Sequence, residues 1–403
     1  MNNKFIKILW VIGFIIGLVA VGFRLIEGEK YVQYNNLVPW GLWVAVYIYF
    51  IGLSAGSFLF STIVYVFNVK RFASIGKLAL FTALATLLCA LLSIWFDLGR
   101  QWRFANIFTS GAYTSMMWWM VNLYTIYMTI IAVECWLVFR EDIIRLSKSK
   151  SMFSFIAKFL TFGKTELTEE RKAKDYKIVK LLATIGVPLA FAFHGNVGAL
   201  FGTVGAREHW NSAIYPIMFL VGAFASGGAL LTSIYTFYWK DKNELYKENV
   251  AILGKIVLAL LLFDILIEWS EYSIALISHG SESVKMILFG NYWYNFRIMH
   301  VLIGVILPIL LITKYATTRN IGIGCLILAV SFISVRLNIV IPGMAIEELT
   351  GLSSAYTSAR FHLDYFPSLF EWAIALFIYT LFGIILYFGY SNLRISGEKE
   401  LEN

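Results

Sequence analysis

Apolar residues recur along this chain in runs of membrane-crossing length. They lie near 6–25, 41–67, 75–96, 113–138, 179–203, 213–239, 250–277, 294–313, 320–342 and 369–391, separated by short polar or charged stretches. About 20 predominantly apolar residues carry an α-helix across the hydrocarbon core, whereas a tilted barrel strand needs only about 9–11. The pattern therefore predicts an all-α integral membrane protein with about ten transmembrane helices in a single polytopic domain over 1–403. The eighth and ninth spans are separated only by the Lys314–Asn320 link. The first run is longer than a signal-peptide core of about 7–15 residues and is followed by Glu27, Glu29 and Lys30, so it is expected to be a retained span.

Composition agrees with the pattern. Hydrophobic residues make up 59% of the 403 positions and charged residues 14%, with a mean hydropathy of +0.72. Soluble domains carry about 25% charged residues. The net charge of +8 is explained by where the basic residues fall. With the N-terminus inside, 24 of the 33 Lys and Arg lie on the inner side, 11 of them between Arg140 and Lys180, and eight lie on the outer side. Cytoplasmic loops are enriched in Lys and Arg, so both termini are expected in the cytoplasm and the chain in the cytoplasmic (inner) membrane, in contact with lipid. This placement argues for topology rather than a nucleic-acid partner. The 140–180 connection, with its mixed-charge TELTEERKAKDYK stretch, reads as a cytoplasmic linker containing an interfacial helix. The outer connections at 97–112, 278–293 and 343–368 are aromatic-rich and offer a surface to a soluble partner.

A weak internal echo is present. GLSAGSFLFSTIVY in the second span is answered by GAFASGGALLTSIY in the sixth, and Trp95-Phe96-Asp97 by Trp269-Ser270-Glu271. Small residues allow helix backbones to approach closely. The echo predicts two four-helix bundles in a parallel repeat, with two further spans.

Ionisable residues within spans are costly in lipid and mark candidate chemistry. Asp97 and Arg100 fall at the outer end of the third span, and His194 in the outer half of the fifth. Asp264 is near the middle of the seventh, with Glu268 and Glu271 nearer its outer end. His300 and Arg336 lie in the outer halves of the eighth and ninth, and Glu371 opens the tenth from outside. Only Glu134 belongs clearly to the inner half. Carboxylates, imidazole and guanidinium near one interface suit an amphipathic redox ligand. A quinol needs hydrogen-bond partners at its ring oxygens and a group that accepts protons as electrons leave. Asp97, His194, Glu268 and Glu271 are the candidates for handling protons. Trp40, Trp43, Trp118, Trp119 and Tyr113 supply flat apolar walls, or else an interfacial aromatic belt. Blander roles are an outer ion pair for Asp97 with Arg100 and a helix–helix hydrogen bond for His194.

Other redox chemistries are limited by what the sequence lacks. Cys89, Cys135 and Cys325 all sit within apolar runs and form no metal-binding motif. Of the five histidines only His194 and His300 are placed within the membrane, both outward, which excludes two haems stacked across it. No phosphate-binding or dinucleotide fingerprint occurs. Metal centres serving this chain are thus expected in another subunit.

Five stretches in order carry a family resemblance: WGLWVAVYIYFIGLSAGSFL (40–59), FDLGRQWRFANIF (96–108), FHGNVGALFGTVGAREHWNSAIYPIMFLVGAFASGGALL (193–231), RLNIVIPG (336–343) and YFPSLFEWAIAL (365–376). The chain resembles the polysulfide reductase NrfD-like family, the quinone-reactive membrane subunits of iron–sulfur and molybdopterin oxidoreductases, and within it the long branch with ten spans. The resemblance implies a subunit without haem or iron–sulfur cluster that binds menaquinone or ubiquinone near the outer face. The implied partner is a ferredoxin-like iron–sulfur subunit, leading to a catalytic subunit of molybdopterin, hydrogenase or sulfur-metabolism type. Carried over by motif, the quinone-binding candidates are Asp97 and Arg100, then His194, with Arg336 and Glu371 after them. Trp40, Tyr113 and His300 join these on position alone, and Glu268 and Glu271 stay proton-handling candidates on the same basis. Competing classes are a secondary transporter with its site between the bundles, for which Asp264 is the midplane candidate, and a purely structural anchor.

Overall fold

The computed structural model describes residues 4–279, 281–356, 358 and 360–395. Among these there is no strand, and ten helices are long and apolar enough to cross a membrane. They are α1 (Lys4–Glu27), α2 (Leu42–Tyr65), α3 (Ala73–Asp97), α4 (Met116–Val138), α5 (Glu169–Gly202), α6 (Tyr215–Tyr238), α7 (Glu244–Ile274), α8 (Asn295–Ile312), α9 (Thr318–Val340) and α10 (Leu369–Asn392). Ten alternating spans put both chain ends on one side, the terminal face, and 28–41, 98–115, 203–214, 275–294 and 341–368 on the other, the far face.

α2 to α5 form one bundle and α6 to α9 a second, while α1 lies along α10 on the outside. The two bundles meet where α2 faces α6. There the echoed small residues touch each other: a Cβ on Gly56 would fall 2.7 Å from the Gly227 Cα, and one on Gly227 would fall 2.6 Å from the Leu53 carbonyl oxygen. Backbones this close exclude any side chain larger than hydrogen. α2 is consequently the molecule's centre, buried from Leu42 to Phe58 without interruption.

Three elements depart from the pattern read in the sequence. α5 starts at Glu169, ten residues before the apolar run, so the second half of the mixed-charge segment is helix rather than linker. Thr168 caps it by accepting from the Arg171 N–H, and Lys172–Glu169 (2.9 Å) and Lys174–Glu170 (2.6 Å) bind along its surface. The rest of the connection holds two short helices, Arg140–Ser147 and Ser154–Leu160. It is pinned by a buried Arg140 that donates to both Asp175 oxygens at 3.0 and 2.9 Å while lying over the Trp136 ring. α8 is π-helical from Asn295 to Ile306, and α9 breaks at Phe332. Such irregularities have no period that an apolar run displays, and they often mark functional segments.

Candidate functional site

α2, α3, α4 and α5 enclose the upper part of a cavity of about 1180 Å³ that opens at the far face. Its walls are apolar from Val44, Ile48, Ile94, Met120, Val197 and Leu200, and its ionisable groups are Asp97, Arg100 and Arg103 at the mouth. The shape is that of a small-molecule pocket, apolar with a few convergent polar groups.

The mouth is assembled from distant segments. Asp97 is the last residue of α3, and Arg24 near the end of α1 caps that helix, donating from Nε to the Phe96 carbonyl (3.0 Å) and from Nη2 to the Leu98 carbonyl (2.9 Å). Arg24 is fully buried and its Nη2 also lies 3.4 Å from Glu29. Asp97 Oδ1, Arg24 Nη1 and the Tyr34 hydroxyl are all buried here, and the Tyr34 phenol is the hydrogen-bonding neighbour of the Asp97 carboxylate. Tyr34 and Arg24 both lie within electrostatic reach of Asp97. Burial, and then the Asp97 charge, push the Tyr34 phenol well above its ordinary value, so it remains a protonated donor.

An aromatic stack forms the other side of the mouth. Trp40 stacks on Trp210 with ring centroids 5.8 Å apart, and Phe201 meets both rings edge-on. Trp210 is fixed by donating to the Ile339 carbonyl at 2.7 Å, and Gly343 is required beside it because a Cβ there would overlap the indole. Trp40, Trp210 and Gly343 come from three of the quoted stretches, which therefore meet in space.

The remaining residues singled out in the sequence fall into separate places. His194 is buried behind the cavity wall and is absent from the lining; its Nδ1 and Nε2 lie 2.7 and 3.1 Å from the Ala190 and Ile51 carbonyls, joining α5 to α2. Glu268 and His300 form a buried pair at 2.6 Å in the second bundle, with Asp264 close by. Arg336 is buried there between the Phe219 and Phe332 rings, at 4.6 and 5.2 Å. Glu271 accepts from the Ser212 hydroxyl at 3.0 Å. Glu371 is a helix cap: it accepts from the Ser368 N–H (2.9 Å), the Gln33 N–H (3.1 Å) and the Tyr365 hydroxyl. Tyr113 is exposed on the far face against Trp118 and lies outside the cavity lining.

The gathering of polar groups towards the far face is thus three constellations: the cavity mouth, the second-bundle cluster, and the cap of α10. Arg24, Glu29 and Tyr34 escaped the sequence reading, because nothing local links them to Asp97. Among the described residues no group of three or more His, Cys, Asp or Glu is placed to hold a metal ion.

Fold and cavity together define a polytopic helical membrane protein with an amphipathic chamber whose polar end lies at one face. The chain belongs to the NrfD polysulphide reductase family, whose model matches residues 30–347. It is 38% identical over 385 residues to a selenate reductase subunit of Mesobacillus selenatarsenatis, covering 92% of this chain and 89% of that protein. Similarity also extends to the Hdr-like menaquinol oxidoreductase integral membrane subunit of Archaeoglobus fulgidus, 27% identical over 91% of this chain and 88% of that one. A polysulfide reductase chain of Wolinella succinogenes is 24% identical over 58% of this chain and 68% of its own length.

Proposed function

We propose that this chain is the quinone-reactive membrane subunit of a respiratory oxidoreductase, exchanging electrons between the menaquinone or ubiquinone pool and an iron–sulfur partner on the far face. The observation that carries this reading is the Asp97 carboxylate, backed by Tyr34 and Arg24, at the polar end of an apolar cavity. The relatives named as reductase and menaquinol oxidoreductase subunits support the same class. In this reading the far face is the outer face, in keeping with the basic residues concentrated on the other side.

A bound quinol supplies two electrons and two protons when oxidised. The protein's own residues do the rest. In this reading the Asp97 carboxylate holds a proton, beside the Tyr34 phenol. Arg24 orients the end of α3 through the Phe96 and Leu98 carbonyls and brings positive charge close to the Asp97 carboxylate. Trp40, stacked on Trp210, presents a flat wall, and the apolar chamber below excludes water. Arg100 and Arg103, exposed at the rim, add positive charge where a reduced ligand enters. Glu268 and His300 form a second proton-holding pair, in the second bundle and apart from the mouth.

The test is purification of the assembled complex in mild detergent, followed by quinol-linked turnover. An iron–sulfur protein is expected to co-purify. Asp97→Asn is expected to leave the complex assembled and to lower turnover by about 100-fold or more, the usual scale for losing a positioned base. Wild-type turnover in Asp97→Asn would remove the carboxylate from the mechanism, and the absence of any redox partner would overturn the class.

A further inference from the structure

The cavity is much longer than a quinone ring needs. Its lining on α4 runs from Met117 at the far face to Trp136 near the terminal face. At 1.5 Å per residue that is about 28 Å, close to the roughly 30 Å thickness of the hydrocarbon core. Only the upper part is walled by four helices. Below Met128 the lining continues on Thr129, Ala132 and Val133 as a groove along the lipid-facing side of α4.

This lower groove is apolar in chemistry as well as in composition. Thr125 and Thr129 return their hydroxyl protons to the Val121 and Thr125 carbonyls, at 2.8 and 2.7 Å, leaving no free donor. It also has a floor. Leu160 and Phe162 complete the lining at the terminal face, clamped by the Trp136 Nε1–H to the Leu160 carbonyl (2.9 Å) and by the edge-on Trp136–Phe162 contact. Phe162 reaches that position with φ of 49°, a left-handed conformation unfavourable for a non-glycine residue.

We infer that this groove binds the polyprenyl tail of the quinone, laid along α4 from the mouth to the Trp136–Phe162 floor. The inference rests on the quinone reading of the mouth and extends it to the part of the ligand that carries no redox chemistry. A phospholipid acyl chain fits less well. It spans one leaflet, about half of the 30 Å core, whereas the lining is continuous through both. The charged groups of the lining lie at the far-face end only, as a molecule with one polar head and one long tail requires.

Filling the groove tests this. Ala132→Trp and Thr129→Trp place an indole across the lower half, and Ile126→Trp, exposed on α4 but outside the lining, is the control. Each would be compared in the purified complex using a polyprenyl quinol and a tailless one, with the quinone retained through purification measured by solvent extraction. Both filling variants are expected to raise KM for the polyprenyl quinol at least fivefold, leave KM for the tailless quinol unchanged, and lose retained quinone. Ile126→Trp should change none of these. Equal KM shifts for both quinols, or no shift with quinone fully retained, would overturn the tail site while leaving the quinone mouth standing. No turnover of either quinol by the wild-type complex would instead remove the quinone reading, and the tail site with it.

Discussion

Asp97 and Glu371 are both carboxylates at far-face helix ends, yet their surroundings differ. Glu371 has its oxygens occupied by the Ser368 and Gln33 N–H groups and the Tyr365 hydroxyl, so it binds the 28–41 segment to the start of α10. Asp97 lines a chamber and has only the Tyr34 phenol and the Arg24 charge beside it. Glu371→Gln is therefore expected to lower the melting temperature, with a loss of about 1–3 kcal/mol from a broken cap and a buried unmatched polar group. Its KM for quinol should stay near wild type. A raised KM with unchanged melting would return Glu371 to the quinone site. From the sequence both are acidic residues of matching depth in quoted motifs. What separates them is the count of donors around each, and those donors come from residues as remote as Gln33.

At the scale of elements, the α2–α6 contact decides whether the two bundles form one body. Gly227→Leu would drive a side chain into the Leu53 carbonyl and part the helices, so the variant is expected to fail to yield a monodisperse complex on size-exclusion chromatography. Gly195→Ala is the contrasting case. A Cβ there meets nothing within 4 Å, and removing a mid-helix glycine should hold or raise stability by about 0.5–1 kcal/mol. Equal behaviour of the two would mean that close approach at Gly227 is not what joins the bundles. The periodicity of the sequence located these helices well, because each span is long and apolar. It missed the Glu169–Lys180 extension of α5, whose charges suit a solvated helix as readily as a linker. The π-helical part of α8 was equally invisible, since an apolar run looks the same whichever carbonyl each N–H finds.

For the whole molecule, the orientation expected from the basic residues can be checked directly. The native cysteines are buried, so introduced ones report cleanly. In intact cells Ser354→Cys on the far face should react with a membrane-impermeant maleimide, and Lys150→Cys on the terminal face should react only after permeabilisation. The reverse pattern would invert the topology and place the cavity mouth in the cytoplasm. Membrane class, number of spans and the small-residue faces of α2 and α6 were determined by the sequence alone, because lipid imposes a length and a polarity on every span independently of its neighbours. Tertiary structure alone decided which polar residues work together. An Asp97 lining the chamber beside Arg24 and Tyr34, a saturated Glu371 and a His194 turned to backbone carbonyls differ only in what surrounds them. Hydrogen bonds act over about 3 Å, and the groups within that distance come from helices far apart in the sequence.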